Sequence, residues 1–194
     1  MIYQNESVRV VPFEREKHMT EKYRSWFHDR LTTQYNSWGL FPYTPGQMEQ
    51  FVKDIEQGTR ERIVWAIEVK IQEDSQYTQE IWEHVGNCSL QSLNFINDSA
   101  EFAIVIGEKS ARGKGFGEVV LRFLLNHGFK KLGLHRVWTG TAVTNVAMCR
   151  VAEKVGMKQE GVFREGMFLD GQFVDVVAYG ILVHEWEEKI GKDI

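Results

Sequence analysis

Residues 107–117 read Gly107-Glu108-Lys109-Ser110-Ala111-Arg112-Gly113-Lys114-Gly115-Phe116-Gly117, and they join two segments of different periodicity. Before them, residues 100–106 are rich in apolar and β-branched side chains, as a buried strand requires. After them, Phe116, Val119, Val120, Phe123, Leu124 and His127 fall at helical spacing. A strand that runs through such a loop straight into a helix brings the helix's unpartnered first N–H groups, and the positive end of its dipole, to the loop. The glycines remove Cβ atoms that would hold an anion off the backbone. Arg112 and Lys114 add positive charge at the same place. The stretch reads as a phosphate cradle, although a glycine cluster before a helix also serves as a plain tight turn. It is not the nucleoside-triphosphate pattern G-x-x-x-x-G-K-[ST], and it does not follow the first strand as a dinucleotide loop does. The chemistry of these residues alone ends at a diphosphate-bearing ligand.

Working outward, a first strand is expected over 8–12 and a helix over 17–27, with Met19, Tyr23, Trp26 and Phe27 on one face. Residues 29–44 read as irregular and aromatic. Thr44 followed by Pro45 starts a second helix that runs through Met48, Phe51, Val52 and Ile55 to Gly58. Strands are expected over 63–69, 82–94 and 100–106, with a polar loop over 70–79 and a turn at Asn97-Asp98-Ser99. A strand over 136–141 follows, then a helix over 145–155 between Asn145 and Gly156. Two last strands, 159–168 and 173–183, flank Leu169-Asp170-Gly171. The order predicts a single mixed α/β (α+β) domain of seven strands and about four helices.

The 194 residues suffice for one sizeable core, and 43% hydrophobic with 26% charged residues is an ordinary globular balance. A net charge of −4 excludes the basic surface expected of a nucleic-acid binder. No stretch is long and apolar enough to cross a membrane, and the first residues carry no secretory pattern, so a cytoplasmic protein is expected. Cys88 and Cys149 form no Cys-x-x-Cys pair and read as reduced thiols. The six histidines are scattered without ligand spacing, and no metal site is expected.

The loop itself fits a known pattern, and three further stretches accompany it. Arg112-x-x-Gly115-x-Gly117 matches [Q/R]-x-x-G-x-[G/A]. The run from Asn145 through Lys154 and Gly156 to Met157 resembles N-x-x-[S/A]-x-x-x-x-x-K-x-G-[F/M], with Met148 at the position of the small residue. Asp175-x-x-x-Tyr179-x-x-Leu182 and, more weakly, Trp26-x-x-Asp29 add to them. Together they resemble the GNAT N-acetyltransferase superfamily, and within it the ribosomal-protein N-terminal (Rim-type) subgroup. The resemblance implies a mostly antiparallel sheet splayed between the fourth and fifth strands. It also implies acceptor-side helices over 1–60 and an acetyl-coenzyme A-binding core over 61–187. Ile104, Val105 and Ile106 would lie along the pantetheine arm, Arg112, Gly113, Lys114, Gly115, Phe116 and Gly117 would hold the pyrophosphate, and Asn145 would hydrogen-bond the pantetheine.

In this superfamily an amine attacks the thioester directly and needs a base. Glu101, at the entry of the fourth strand beside apolar Phe102 and Ala103, is the expected base; the alternative is a solvated strand-end carboxylate. Two familiar positions are changed. Gly140 stands where some members place a glutamate, and Ala152 where many place an acid tyrosine. Cys149 and Tyr179 remain as acid candidates, each also readable as core. Asp29, Tyr35, Trp38 and Phe41 are the expected acceptor-binding residues. The acceptor is expected to be a primary amine on a protein N-terminus, with an amino sugar, a nucleotide-linked amino sugar or a polyamine as the alternative, in a monomer or homodimer. A non-catalytic acetyl-coenzyme A sensor is the reading of a different class.

Overall fold

A computed structural model describes residues 3–36, 40, 43–58, 61–71 and 80–192. The described residues form one eight-stranded sheet in the order β1-β2-β3-β4-β5-β6-β8-β7. Its strands are β1 (Tyr3–Gln4), β2 (Val8–Pro12), β3 (Arg62–Ile71), β4 (Ile81–Asn94), β5 (Ser99–Ile106), β6 (Arg136–Ala142), β7 (Lys158–Leu169) and β8 (Gln172–Leu182). Seven helices accompany them: α1 (Arg15–His18), α2 (Glu21–Trp26), α3 (Arg30–Thr33), α4 (Pro45–Gln57), α5 (Phe116–Lys131), α6 (Val146–Lys154) and α7 (Val183–Lys192). The mixed α/β fold stands as expected, with one more strand and three more helices.

Every neighbouring pair is antiparallel except β5–β6, which the crossover helix α5 makes parallel. That pair has three rungs, Ser99↔Arg136, Ala100↔Val137 and Glu101↔Trp138. Beyond Glu101 the two strands continue unpaired with each other, β5 to Ile106 and β6 to Ala142. Meanwhile β5 keeps its antiparallel ladder with β4 as far as Gly86↔Ile106. The sheet therefore opens into a wedge between the strands expected to splay.

Side-chain alternation divides β5 between two cores. Phe102 packs with Leu121 and Leu124 of α5, Val137 of β6 and Trp186 of α7, all nearly or fully buried. Each such side chain contributes about 2 kcal/mol of hydrophobic stabilisation. The opposite sheet face is covered by α2 and α4, where Tyr23, Trp26, Met48 and Val52 pack against Val11 and Ala66. Glu101, Ala103 and Val105 point to this second face.

Local chemistry explains most boundaries. Thr44 and Gln47 form a reciprocal capping box at the start of α4, with Pro45 behind the cap. Asn145 caps α6, accepting from Met148 N at 3.3 Å. The expected helix over 17–27 is instead broken into α1 and α2. His18 turns fully inward, its Nδ1 accepts from Glu14 N at 2.8 Å and its Nε2 lies 3.0 Å from Glu68 Oε1. Thr20 then starts α2 afresh by accepting from Tyr23 N. The last strand ends at Leu182 rather than 183, and α7 follows it directly. Its Trp186 is 2% exposed, and Val183, Trp186 and Ile190 supply a helical apolar stripe that the strand reading passed over. The short edge strand β1 and the single-turn helix α3 were likewise not expected. The expected loop at 70–79 begins as strand, since β3 runs to Ile71, and 72–79 lie outside the described residues.

Candidate active site

The wedge between β5 and β6 points at the start of α5. Gly115 is the N-cap of that helix, with φ 84° and ψ −4°, and contributes no side-chain cap. Gly113 has φ 73°, and a Cβ built on either glycine meets nothing within 4 Å. The first turn thus faces open space with its N–H groups outward. The acidic residue of that turn, Glu118, is drawn aside by Arg122 at 3.2 Å and Lys154 at 3.4 Å. Lys114 is exposed and has no ion pair among the described residues. An anion at this place meets backbone donors, one exposed cation and a helix dipole.

Arg112 is arranged differently from its expected place in the cradle. Its guanidinium donates to the carbonyls of Ile106 and Gly107 at 3.0 and 2.9 Å and to Thr32 Oγ1 at 2.6 Å, with Asp29 Oδ2 at 3.6 Å. The side chain ties the end of β5 to α3, and the Arg112 backbone N–H donates to Lys109 O at 3.2 Å, so the free backbone donors of the cradle begin at Gly113. Asp29 is the N-cap of α3, accepts from Thr32 Oγ1 at 3.0 Å and meets Lys109 Nζ at 3.4 Å. Burial would raise its carboxyl, but the Thr32 hydroxyl and the Lys109 charge hold it below its ordinary value. Asn145 donates from Nδ2 to Thr141 Oγ1 at 3.0 Å while Oδ1 caps α6, which leaves one N–H and one lone pair available.

On the α2–α4 face a half-open cleft of about 180 Å³ lies against the middle of the sheet. Tyr23 and Trp26 of α2, Phe51 of α4 and Tyr43 just before α4 form one wall of the cleft. Arg62, Asn87, Ser89, Gln91, Ala103 and Val105 form its floor. Trp26 links the cleft to the loop: its Nε1 donates to Glu108 at 2.6 Å, and a Cβ on Gly107 would stand 1.9 Å from its ring. The Tyr23 hydroxyl is hydrogen-bonded to Asn87 and Tyr43, and burial pushes it well above the usual range. Glu101 is half-buried at the cleft's end, where Oε2 accepts from Gln91 Nε2 at 3.1 Å and from Ser92 Oγ at 3.5 Å.

The two expected acid candidates stand together on the other sheet face. Tyr179 is 3% exposed and donates to Glu153 Oε1 at 3.0 Å. Burial first, then the Glu153 carboxylate and the adjoining Cys149 thiol, push its hydroxyl above the usual tyrosine range. Ala152 is fully buried. Of the expected acceptor residues, Asp29 and Tyr35 do not line the cleft, and Trp38 and Phe41 lie outside the described residues. Trp26, Phe27 and Tyr43, at the ends of the aromatic segment 26–43 expected to meet the acceptor, do line it, whereas the polar residues of its floor were not expected. Their signal was present in β4, where polar Asn87, Ser89 and Gln91 alternate with buried Cys88 and Leu90 on a central strand. Among the described residues, no group of three or more His, Cys, Asp or Glu is gathered to hold a metal ion. No described helix is long and apolar enough to cross a membrane.

Comparison with known proteins gives this arrangement a family. The acetyltransferase (GNAT) domain family matches residues 8–158. The chain belongs to that family. A spermidine N(1)-acetyltransferase of Vibrio cholerae is 34% identical over 76 residues, which are 39% of this chain and 43% of that protein. An uncharacterized N-acetyltransferase of Bacillus subtilis, YnaD, is 28% identical over 103 residues, 52% of this chain and 61% of the relative. The matched stretches therefore span less than two thirds of either relative. Among solved structures, the V. cholerae spermidine N-acetyltransferase in complex with CoA and spermine superposes with a TM-score of 0.76 at 25% identity. That match covers 94% of this chain and 99% of the other. The GNAT wedge, loop and helix of this chain are thus those of a known acetyltransferase architecture.

Proposed function

We propose that the chain is an acetyl-coenzyme A-dependent N-acetyltransferase that acts on a primary amine. The observation that carries this reading is the uncapped start of α5, open at Gly113 and Gly115, at the mouth of the β5–β6 wedge. The pyrophosphate would lie on the backbone of residues 113–117 with Lys114 beside it. The pantetheine would run along Ile104, Val105 and Ile106 and meet the spare hydrogen-bonding capacity of Asn145. Its thioester would then enter the wedge next to the cleft.

Glu101 is assigned as the base. It sits on the last paired rung of β5 and β6, on the cleft face, and is partly shielded from water. It would take a proton from the incoming ammonium, directly or through water, as the new C–N bond forms and the C–S bond breaks. Tyr179 is already committed to Glu153, so the reading gives it no proton to deliver. A coenzyme A thiolate, the conjugate base of a thiol with pKa near ~8.5, leaves without a dedicated acid.

The names of the relatives support a polyamine as acceptor ahead of a protein N-terminus. Incubation with acetyl-coenzyme A and a panel of amines, including spermidine and short peptides, tests the reading by thiol release and product mass. Amine-dependent thiol release is the expected result. Tight coenzyme binding without turnover of any amine would move the chain to the sensor class, and failure to bind acetyl-coenzyme A would remove both readings.

A further inference from the structure

The floor of the cleft carries a rung of three polar side chains across three strands. Arg62 of β3 pairs with Gln91 of β4, and Gln91 pairs with Glu101 of β5. All three point to the α2–α4 face. Gln91 is oriented by its neighbours: Nε2 donates to Glu101 Oε2 at 3.1 Å, while Oε1 accepts from Ser89 Oγ at 3.5 Å. With neighbouring strands about 4.8 Å apart, the backbones of Arg62 and Glu101 stand roughly 10 Å from each other.

Arg62 is half-buried and lies over the Phe51 ring, 5.0 Å from its centroid. The aromatic contact fixes the plane of the guanidinium and leaves its edge donors uncommitted. Among the described residues it has no ion pair, although most other arginines of the chain do. The described lining of the cleft contains no carboxylate, and Arg62 is its one charged side chain. A half-buried cation without a counterion is costly, and an incoming anion relieves that cost. A polycation would meet repulsion at the same point, so the cleft's own chemistry departs from the polyamine acceptor that the relatives' names support.

We propose that Arg62 holds an anionic group of the acceptor, so that the cleft selects a primary amine bearing a carboxylate or a phosphate. The amine would be presented at the Glu101 end of the rung and the anion at the Arg62 end, with Gln91 spanning them. The proposal rests on the N-acetyltransferase reading for the direction of the amine, and its test is independent of turnover.

Calorimetric titration of the coenzyme A-loaded protein compares matched probes: glucosamine 6-phosphate with glucosamine, 4-aminobutyrate with 1-aminobutane, and spermidine alone. The expected result is that at least one anionic probe binds about tenfold or more tightly than its counterpart without the anionic group, and that spermidine binds more weakly than that probe. The pair that shows the difference separates phosphate from carboxylate. In Arg62→Gln the preference falls to near unity, while Arg62→Lys keeps part of it. Coenzyme A affinity of each variant reports its folding. Equal affinity within both pairs, tighter binding of spermidine than of either anionic probe, or a preference that survives Arg62→Gln overturns the proposal. Anion-selective binding with no acetylation on addition of acetyl-coenzyme A would sink the enzymatic reading and leave this one standing. Turnover only of amines without an anionic group would do the reverse.

Discussion

Two side chains on the cleft side of the sheet show how position sets chemistry. Glu101 owes its place to the last rung before the wedge, so a carboxylate there faces any group that meets the opening. If it is the base, Glu101→Gln lowers kcat by about 10²-fold or more and leaves coenzyme affinity unchanged. An unaltered rate under saturating amine removes the assignment. His84 serves the same wall differently. Its ring is packed between His18 and Trp26, with centroids 4.8 and 4.9 Å away, and Nε2 lies 2.9 Å from Asn87 Oδ1. Burial, the largest cause, lowers its pKa from 6.5 to about 4. Between those values the unfolded chain takes up a proton that the folded chain refuses. Stability is therefore full above about pH 6.5 and declines as the pH falls toward 4, by roughly 3 kcal/mol. Melting temperatures between pH 7 and 5 should fall steadily for the wild type and more shallowly for His84→Gln. Some slope persists, because burial shifts His127 in the same direction. A slope identical in the two proteins would show that His84 does not carry the effect. The role of His84 could not be read from the sequence, where it is one of six scattered histidines, because its neighbours come from α1, α2 and β4.

Elements whose signals are local were legible, and those fixed by distant partners were not. The starts of α4 and α6 follow from Thr44-Pro45 and Asn145, and the start of α5 follows from its glycine loop, because caps involve neighbours three residues away. The break between α1 and α2 depends on His18 reaching Glu68, fifty residues on, and no local pattern records that contact. The same contrast holds within the site. The pyrophosphate loop is one continuous stretch and could be read directly, whereas the cleft is assembled from α2, α4, β3, β4 and β5. Arg112 falls between the two: its motif was visible, but its side chain's attachment to Ile106, Gly107 and Thr32 was not. The cap of α4 offers a check at this scale. Thr44→Ala removes one half of the capping box and should lower unfolding free energy by about 1 kcal/mol in denaturant titration. Since α4 carries Phe51 beneath Arg62, the variant should also weaken acceptor binding more than coenzyme binding. Equal weakening of both would place the disturbance in the whole sheet instead.

At the scale of the molecule, the wedge leaves β5 held by β4 on one side and, beyond Glu101, by nothing from β6 on the other. A ligand lying in that gap supplies hydrogen bonds that a continuous sheet would have made for itself, so binding and global stability should be strongly linked. For a ligand that binds only the folded state, a concentration of 100 times Kd contributes about 2.7 kcal/mol. In a domain of this size that corresponds to a rise in melting temperature of roughly 5–10 °C. Coenzyme A should therefore raise the melting temperature by that amount, and spermidine or simple amines without coenzyme should not. Gly115→Ala isolates the loop's part in the effect. A Cβ at φ 84° is strained by about 1 kcal/mol but meets no neighbouring atom, so the unliganded variant should melt only a few degrees lower. If the first turn of α5 holds the pyrophosphate, relaxation of that strain tilts its N–H groups and the coenzyme-induced rise shrinks by half or more. A full-sized rise in Gly115→Ala would mean that the coenzyme is held elsewhere, and the assignment of the loop would fall with it.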